Sequence, residues 1–231
     1  METVLSRKAR TAASFVYMSW FFDPQSDICG RLPEEVVDFA YRHTPIRPGQ
    51  VKSEILEFAH LVKQRKPKVT VEIGTNNGGT FFVLCRMSDP QAVVISVDLP
   101  GAHFSSGEVP RMINRILPKL PVPGQEFHAI RADSHLPSTL AQFEQILRGR
   151  AVDLMFIDGD HTYEGVKKDF EMYSPFVRNG GVVAFHDILK EQGEADCEVN
   201  RFWNEIKEHY VHKELVTDPK QGWAGIGVLF V

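Results

Sequence analysis

The chain has little cysteine: three in 231 residues, at Cys29, Cys85 and Cys197. They are far apart and odd in number, so they build neither a disulfide framework nor a C-x-x-C metal knuckle. No run of 18 or more apolar residues occurs, which excludes a membrane-spanning helix. Basic charge is not in excess either. Lys and Arg number 26 against 30 Asp and Glu, a net charge of −4, so the electrostatic footprint of a nucleic-acid binder is missing. Repeats and low-complexity tracts are absent, which sets aside solenoids and disordered arrays. What is present, 43% hydrophobic and 24% charged residues, describes an ordinary globular protein able to bury one sizeable core. The chain reads as reduced, cytoplasmic and compact.

One segment contests that reading. Basic residues Arg7, Lys8 and Arg10 precede a mostly apolar stretch from Thr11 to Phe22, the outline of a secretory signal. Ser14, Tyr17 and Ser19 interrupt the stretch, and no small-x-small cleavage site precedes Asp23-Pro24. The expectation is an amphipathic segment packed on the body, on a partner subunit or over an active-site mouth. Residues 1–66 form a helical N-terminal part, with helices over Pro33–Tyr41 and Gln50–Lys66. Its aromatic start points to a homo-oligomer.

From Val69 the pattern alternates. Strands are expected at Val69–Ile73, Ala92–Asp98, Glu126–Arg131, Val152–Ile157 and Val182–Phe185. Helices are expected at Thr80–Met87, Pro110–Leu120, Leu136–Arg148, Tyr163–Phe176 (closed by Asn179-Gly180-Gly181) and Glu198–Tyr210. Two strands near Lys213–Thr217 and Ile226–Val231 close the chain as an antiparallel hairpin. Strands alternating with helices argue for an α/β, doubly wound, mostly parallel sheet covered on both faces. Phe202, Trp203 and Ile206 lie at helical spacing and belong to the core. His43, His60, His103, His128, His135, His209 and His212 are scattered and read as surface or helix-terminal residues.

Ligands of such sheets bind beyond the carboxyl ends of the strands. At the first end stands Glu72-Ile73-Gly74-Thr75-Asn76-Asn77-Gly78-Gly79. Gly74 permits backbone angles closed to other residues, and Gly78 and Gly79 permit close approach to the helix that follows. Neither G-x-G-x-x-G nor Gly-Lys-Ser/Thr is present, so the dinucleotide fingerprint and the phosphate loop do not fit. The acid Glu72 would repel a pyrophosphate and attract a cation. Asp98, 26 residues later, can accept both hydroxyls of a ribose, and Asp133-Ser134 can meet an adenine edge. In order, these strand ends describe an adenosine that bears a positive group and no phosphate, which matches S-adenosylmethionine. The fourth and fifth ends carry Asp158-Gly159-Asp160-His161 and His186-Asp187. Asp158 can face the His186-Asp187 pair across adjacent strands, a set suited to a divalent cation such as Mg²⁺. The imidazole widens the choice toward Mn²⁺, Fe²⁺ or Zn²⁺.

On these segments the sequence resembles the class I S-adenosylmethionine-dependent methyltransferases. Within them it is similar to the metal-dependent sugar and natural-product O-methyltransferases and the proteins called cephalosporin hydroxylases. The resemblance frames residues 67–231 as the cofactor-binding domain. It implies that Glu72, Gly74, Thr75, Asn76 and Gly78 surround the methionine part of the cofactor, with Asp158 beside them. Asp98 would hold the ribose, and Asp133 with Ser134 the adenine. Asp158, His186 and Asp187 would occupy the metal positions, and Asp160 or His161 would be the base. Two departures stand out. Asn76 replaces a common glycine, which is tolerable at ordinary backbone angles, and His186 stands where several relatives carry an acid. The expected activity is methyl transfer to a hydroxyl of a small molecule, a sugar or secondary metabolite. Another chemistry on the same scaffold, hydroxylation among them, and a non-catalytic adenosyl-binding protein are the alternatives.

Overall fold

The computed structural model describes residues 32–99, 109–190 and 197–231. The aromatic N-terminal segment that contains Tyr17 and Phe22 lies outside them, as do Cys29 and His103. Helix α1 (Pro33–Arg42) and a 3₁₀ turn (Thr44–Ile46) lead into α2 (Lys52–Arg65). Then follow β1 (Val69–Ile73), α3 (Gly79–Met87), β2 (Val93–Val97), α4 (Val109–Ile116), β3 (Glu126–Ile130), α5 (Pro137–Leu147) and β4 (Val152–Ile157). The chain continues through α6 (Tyr163–Tyr173), β5 (Val177–His186), α7 (Val199–Ile206), β6 (Val211–Leu215) and β7 (Ile226–Phe230).

The seven strands form one sheet in the order β3-β2-β1-β4-β5-β7-β6. Pairing is parallel from β3 through β5 and antiparallel at β5·β7 and β6·β7. Strands β1 and β2 are buried at all five positions, because helices cover both faces and no side chain needs to meet water. One apolar layer joins Val36, Ile55 and Phe58 of α1 and α2, and the fully buried α3, to Phe156 and Val182 of the sheet. The other packs Phe143, Phe170 and Trp203 of α5, α6 and α7 on Val71, Met155 and Phe185. Phe202 and Trp203 are core residues as their spacing implies, and Ile206 packs against them partly buried. Among the described residues no helix is long and apolar enough to cross a membrane.

Several boundaries depart from the expected pattern: α4 ends at Ile116 and α7 at Ile206, each followed by a 3₁₀ turn, while β5 begins at Val177 and β6 at Val211. Helix α6 stops at Tyr173, and a 3₁₀ turn containing Pro175 takes over, since proline has no N–H with which to continue the helix. Asn179-Gly180-Gly181 therefore do not cap the helix. They lie inside β5, where the register against β4 shifts between Val152 and Leu154. A bulge of this kind absorbs extra residues in one strand.

Sheet order reverses between β1 and β4: β2 and β3 lie to one side of β1, β4 and β5 to the other. A cleft must open beyond the strand ends there. At the far side of the sheet, Gly227 of β7 lets the Trp203 ring lie flat on the strand, because a methyl at Gly227 would sit 2.6 Å from Trp203 Cζ3. Trp203 is 1% exposed and its indole N–H donates to Glu214 Oε1 at 2.7 Å. Gly227→Ala should lower stability by about 1–3 kcal/mol through displacement of that ring. Urea unfolding followed by tryptophan fluorescence checks it; an unchanged midpoint would show that the ring moves at no cost.

Candidate active site

The parallel ladder runs one residue beyond the strands. Asp98 N–H donates to Ile130 C=O at 3.0 Å, Gly74 N–H to Val97 C=O at 2.8 Å and Asp158 N–H to Ile73 C=O at 2.8 Å. These bonds bring three strand ends to one level at the reversal point. A cavity of about 710 Å³ opens above them. Gly74, with φ +88°, passes so close to the β4 end that a methyl there would lie 2.0 Å from the Asp158 carbonyl oxygen. Only glycine fits.

On the β1–β3 side the cavity is lined by Gly74, Thr75, Asn76, Asp98, Asp133 and Ser134. Asp98 is buried, and Arg131 pairs with its Oδ2 while Asn76 N–H donates to Oδ1 at 3.4 Å. Asp133 Oδ1 accepts the His135 N–H at 2.8 Å, and Thr75 shares a hydrogen bond with Ser96 at 2.7 Å. Asn76 does not keep the ordinary backbone expected of a substituted glycine: its φ is +46°. Asparagine is among the few non-glycine residues that settle there. Glu72 and Gly78 stand behind the wall and do not line the cavity. Gly78 faces Leu120 and Ile113. Glu72 is 1% exposed and its Oε2 has no hydrogen-bond partner. Burial pushes its carboxyl well above the usual carboxylate range against a Thr75 hydrogen bond, and the charges of Asp158 and Asp98 push the same way.

On the β4–β5 side, Asp158, His186 and Asp187 can each point a ligand atom so that all three lie within 4.8 Å of one another. His186 Nδ1 is 3.3 Å from Asp158 Oδ1 and 3.0 Å from Asp187 Oδ1, and its buried Nε2 has no hydrogen-bond partner. Asp187 takes φ +59°, a turn that directs its carboxylate back over the β5 end. His161 Nε2 lies 3.7 Å from Asp158 Oδ1 and 3.6 Å from Asp187 Oδ2. Burial alone would lower the basicity of His186, but the negative charges of Asp158 and Asp187 outweigh it and raise the ring to about 10. Contact with Asp158, then with Cys197, lifts His161 to about 11. Burial works to raise Asp158, yet the two imidazolium charges hold it below the usual carboxylate range. The rim thus balances its carboxylates with protons on two histidines. A donor set of two carboxylates and one imidazole, already gathered around one point, suits a divalent cation. Asp160 is exposed at the cavity edge, and one of its oxygens accepts the Thr162 N–H at 2.9 Å, where α6 begins under a Thr162 side-chain cap.

Sequence reasoning missed four contributors. Gln50, 5% exposed, donates from Nε2 to Asp158 Oδ2 at 2.7 Å while its Oε1 accepts the Thr80 hydroxyl at 2.6 Å. Nothing in its own stretch of sequence marks it. Arg131, beside Asp133 in the chain, was visible as a basic residue without a partner. His135 precedes α5 but also lines the cavity, with Nε2 3.2 Å from Oδ1 of the fully buried Asp169. Trp223 lines the mouth and is 44% exposed. Its loop is held by buried Glu54, which accepts N–H groups of Thr217 at 3.0 Å and Gly225 at 3.0 Å and the Gln221 amide at 2.8 Å. A tryptophan between glycines in a loop was the available signal.

A family model described as a methyltransferase domain matches residues 71–188, just over half of the chain. The uncharacterized protein y4gI of Sinorhizobium fredii is 28% identical over 151 residues, 63% of this chain and 16% of that protein. The chain spans half or less of the length of the curated relatives it matches. Among solved structures, cofactor-bound Rv0187 from MTB is similar with a TM-score of 0.59 at 20% identity, covering 100% of this chain and 98% of that one. TomG of Streptomyces achromogenes, an O-methyltransferase involved in tomaymycin synthesis solved in complex with SAM, is similar with a TM-score of 0.58 at 17% identity, covering 96% and 97%. At these identities the likeness shows the fold, a Rossmann-like methyltransferase sheet.

Asp169 gives the site a pH signature. Burial pushes its carboxyl up to about 6, against Ser134 and His135, which pull it down. The folded state therefore favours the protonated acid: this group's contribution is complete below about pH 4 and is lost as pH rises through 6. Asp169→Asn should match wild type near pH 4 and exceed it by up to about 3 kcal/mol at pH 7. Thermal unfolding across that range measures it, and a difference that does not grow with pH would refute the assignment.

Proposed function

The chain belongs to the methyltransferase-domain family, and from that premise we propose that it moves the methyl group of S-adenosylmethionine to a hydroxyl oxygen of a small molecule. In this reading Asp158, His186 and Asp187 hold a divalent cation such as Mg²⁺. The observation that carries the reading is the division of one cavity into two halves: a wall of Gly74, Asp98 and Ser134, and a carboxylate–imidazole rim of Asp158, His161, His186 and Asp187. The orphaned Oε2 of Glu72 behind the first wall and the three convergent donors of the second fit the two groups.

S-Adenosylmethionine supplies a methyl on a positively charged sulfur. A divalent cation makes a nearby hydroxyl a stronger acid, as it does for water. The remaining work falls to the protein. Asp98 accepts the ribose hydroxyls, and Arg131 fixes its carboxylate so that the oxygens keep one orientation. Asp133 and Ser134 meet the adenine. Carboxylates along the floor and rim favour a cationic sulfur over a neutral analogue. Gln50 holds Asp158 by one oxygen and leaves the other turned toward the histidines. With a cation held by Asp158, His186 and Asp187, the His161 ring no longer carries the counter-charge of the rim, and in its neutral form its Nε2, poised between Asp158 and Asp187, accepts the proton of the acceptor hydroxyl. Asp160, tied through one oxygen to the helix start, is the second candidate base. Trp223 offers a flat apolar face at the mouth, suited to the ring of a sugar or secondary metabolite. That face supports a small hydroxylated acceptor in preference to a polymer.

Isothermal titration tests the cofactor half. The wild-type chain should bind S-adenosylmethionine, and Asp98→Asn should weaken it about 10- to 100-fold by removing a charged hydrogen-bond acceptor. Absence of binding by the wild type would end the proposal. Production of S-adenosylhomocysteine tests the other half. His161→Gln should keep cofactor affinity and lose about 10²–10⁴-fold in turnover; full turnover in that variant would move the base to Asp160.

A further inference from the structure

The geometry points to a second ion site on the same rim, formed by His161, Asp187 and Cys197 and selective for a borderline-soft divalent ion of the Zn²⁺ type. It needs neither the cofactor nor the reaction proposed above. Three ligand atoms, one imidazole nitrogen, one carboxylate oxygen and one sulfur, can all lie within 4.8 Å of one another. Ligands of a tetrahedral Zn²⁺ stand roughly 3.3–3.8 Å apart, given metal–ligand lengths near 2.0–2.3 Å. A tetrahedral ion would draw the three atoms together by roughly 1 Å.

The three residues are not neighbours by chance of an exposed loop. Cys197 is buried and free of any disulfide. The residue after it is anchored to the site, since Glu198 N–H donates to the His161 carbonyl at 2.8 Å. The Asp187 side is pinned through Leu189 N–H to Ala224 C=O at 2.9 Å. The two oxygens of Asp187 face different ways: Oδ1 lies 3.0 Å from His186 Nδ1, and Oδ2 lies 3.6 Å from His161 Nε2. One carboxylate therefore serves two donor sets. The set with Asp158 and His186 has two carboxylates and suits a hard ion, whereas the set with Cys197 replaces a carboxylate by a thiol. Thiolate ligands select Zn²⁺ and its kind and reject Mg²⁺. On binding, Cys197 and the His161 ring each give a proton to solvent, and Sγ and a ring nitrogen take the metal.

The consequence is a site that discriminates between ions by the ligand set each one prefers. A thiophilic ion at Cys197 would engage the His161 ring, the same ring that serves as proton acceptor in the proposed reaction. A hard ion held by Asp158, His186 and Asp187 would not take that ring as a ligand.

Cobalt(II), a spectroscopic substitute for Zn²⁺, tests the site directly. Titrated into chelator-treated full-length protein, Co²⁺ should raise a thiolate-to-metal charge-transfer band. Cys197→Ser should abolish the band and weaken Co²⁺ binding about 100-fold or more, while His186→Ala should keep the band. A second measurement needs no variant: in the wild-type chain, one equivalent of Zn²⁺ should slow alkylation of Cys197 by iodoacetamide, and Mg²⁺ should not. A missing band, a band that survives Cys197→Ser, or alkylation unaffected by Zn²⁺ would each overturn the inference. These readouts are silent on methyl transfer, so their failure and the failure of the proposed activity are separate results.

Discussion

Two carboxylates cannot both stay ionised a few ångströms apart in a buried rim unless positive charge lies between them. Asp158 and Asp187 meet that demand with His186, whose ring touches both, and with His161, which closes the other side. The rim is a charge-balanced cluster whose counter-charges are protons on nitrogen. A metal cation that binds there must displace those protons, whereas the bonds of the sheet beneath do not change. A rigid base carries an electrostatically adjustable top.

The rest of the architecture keeps those carboxylates in place. The ladder that runs on past β1, β2 and β4 fixes the backbone of Asp98, Gly74 and Asp158. Each buried acid then has an assigned partner of its own. Asp98 has Arg131, Asp158 has Gln50, and Glu54 has three donors from the β6–β7 loop. Asp153, at the opposite end of β4, receives the Lys68 and Val69 N–H groups at 2.7 and 2.9 Å. Glu72 and Asp169 are the exceptions: one Glu72 oxygen is left bare directly behind the cavity wall, and both oxygens of the fully buried Asp169 lack a hydrogen-bond partner.

Much of this could be read from the chain alone, and the reason is physical. A buried parallel strand is a short run of β-branched and aliphatic residues, so β1, β2 and β4 declare themselves, and the polar residue that ends each run falls at the cavity. That is how Asp98, Asp158 and His186-Asp187 were found. The same logic failed where function depends on partners far apart in the chain. Gln50 reaches Asp158 across 108 positions, and no local pattern encodes such a bond. Gly78 was assigned to the cofactor because glycines near a strand end invite that reading, yet its open side is filled by Leu120. Asn179 to Gly181 looked like a helix stop, because a bulge inside a strand uses the same residues as a turn. The family resemblance supplied roles, and the geometry sorted those roles into wall, floor and rim.

Glu54 has a further consequence, in the order of assembly. Its carboxylate joins α2 to the loop before β7, across 163 to 171 positions of sequence. Loop closure over such a span is entropically slow, so contacts of this kind form late. The parallel core can be laid down strand by strand, but the wall bearing Trp223 waits for both halves of the chain to meet. The cavity is thus complete at its mouth only when segments 163 to 171 positions apart have come together.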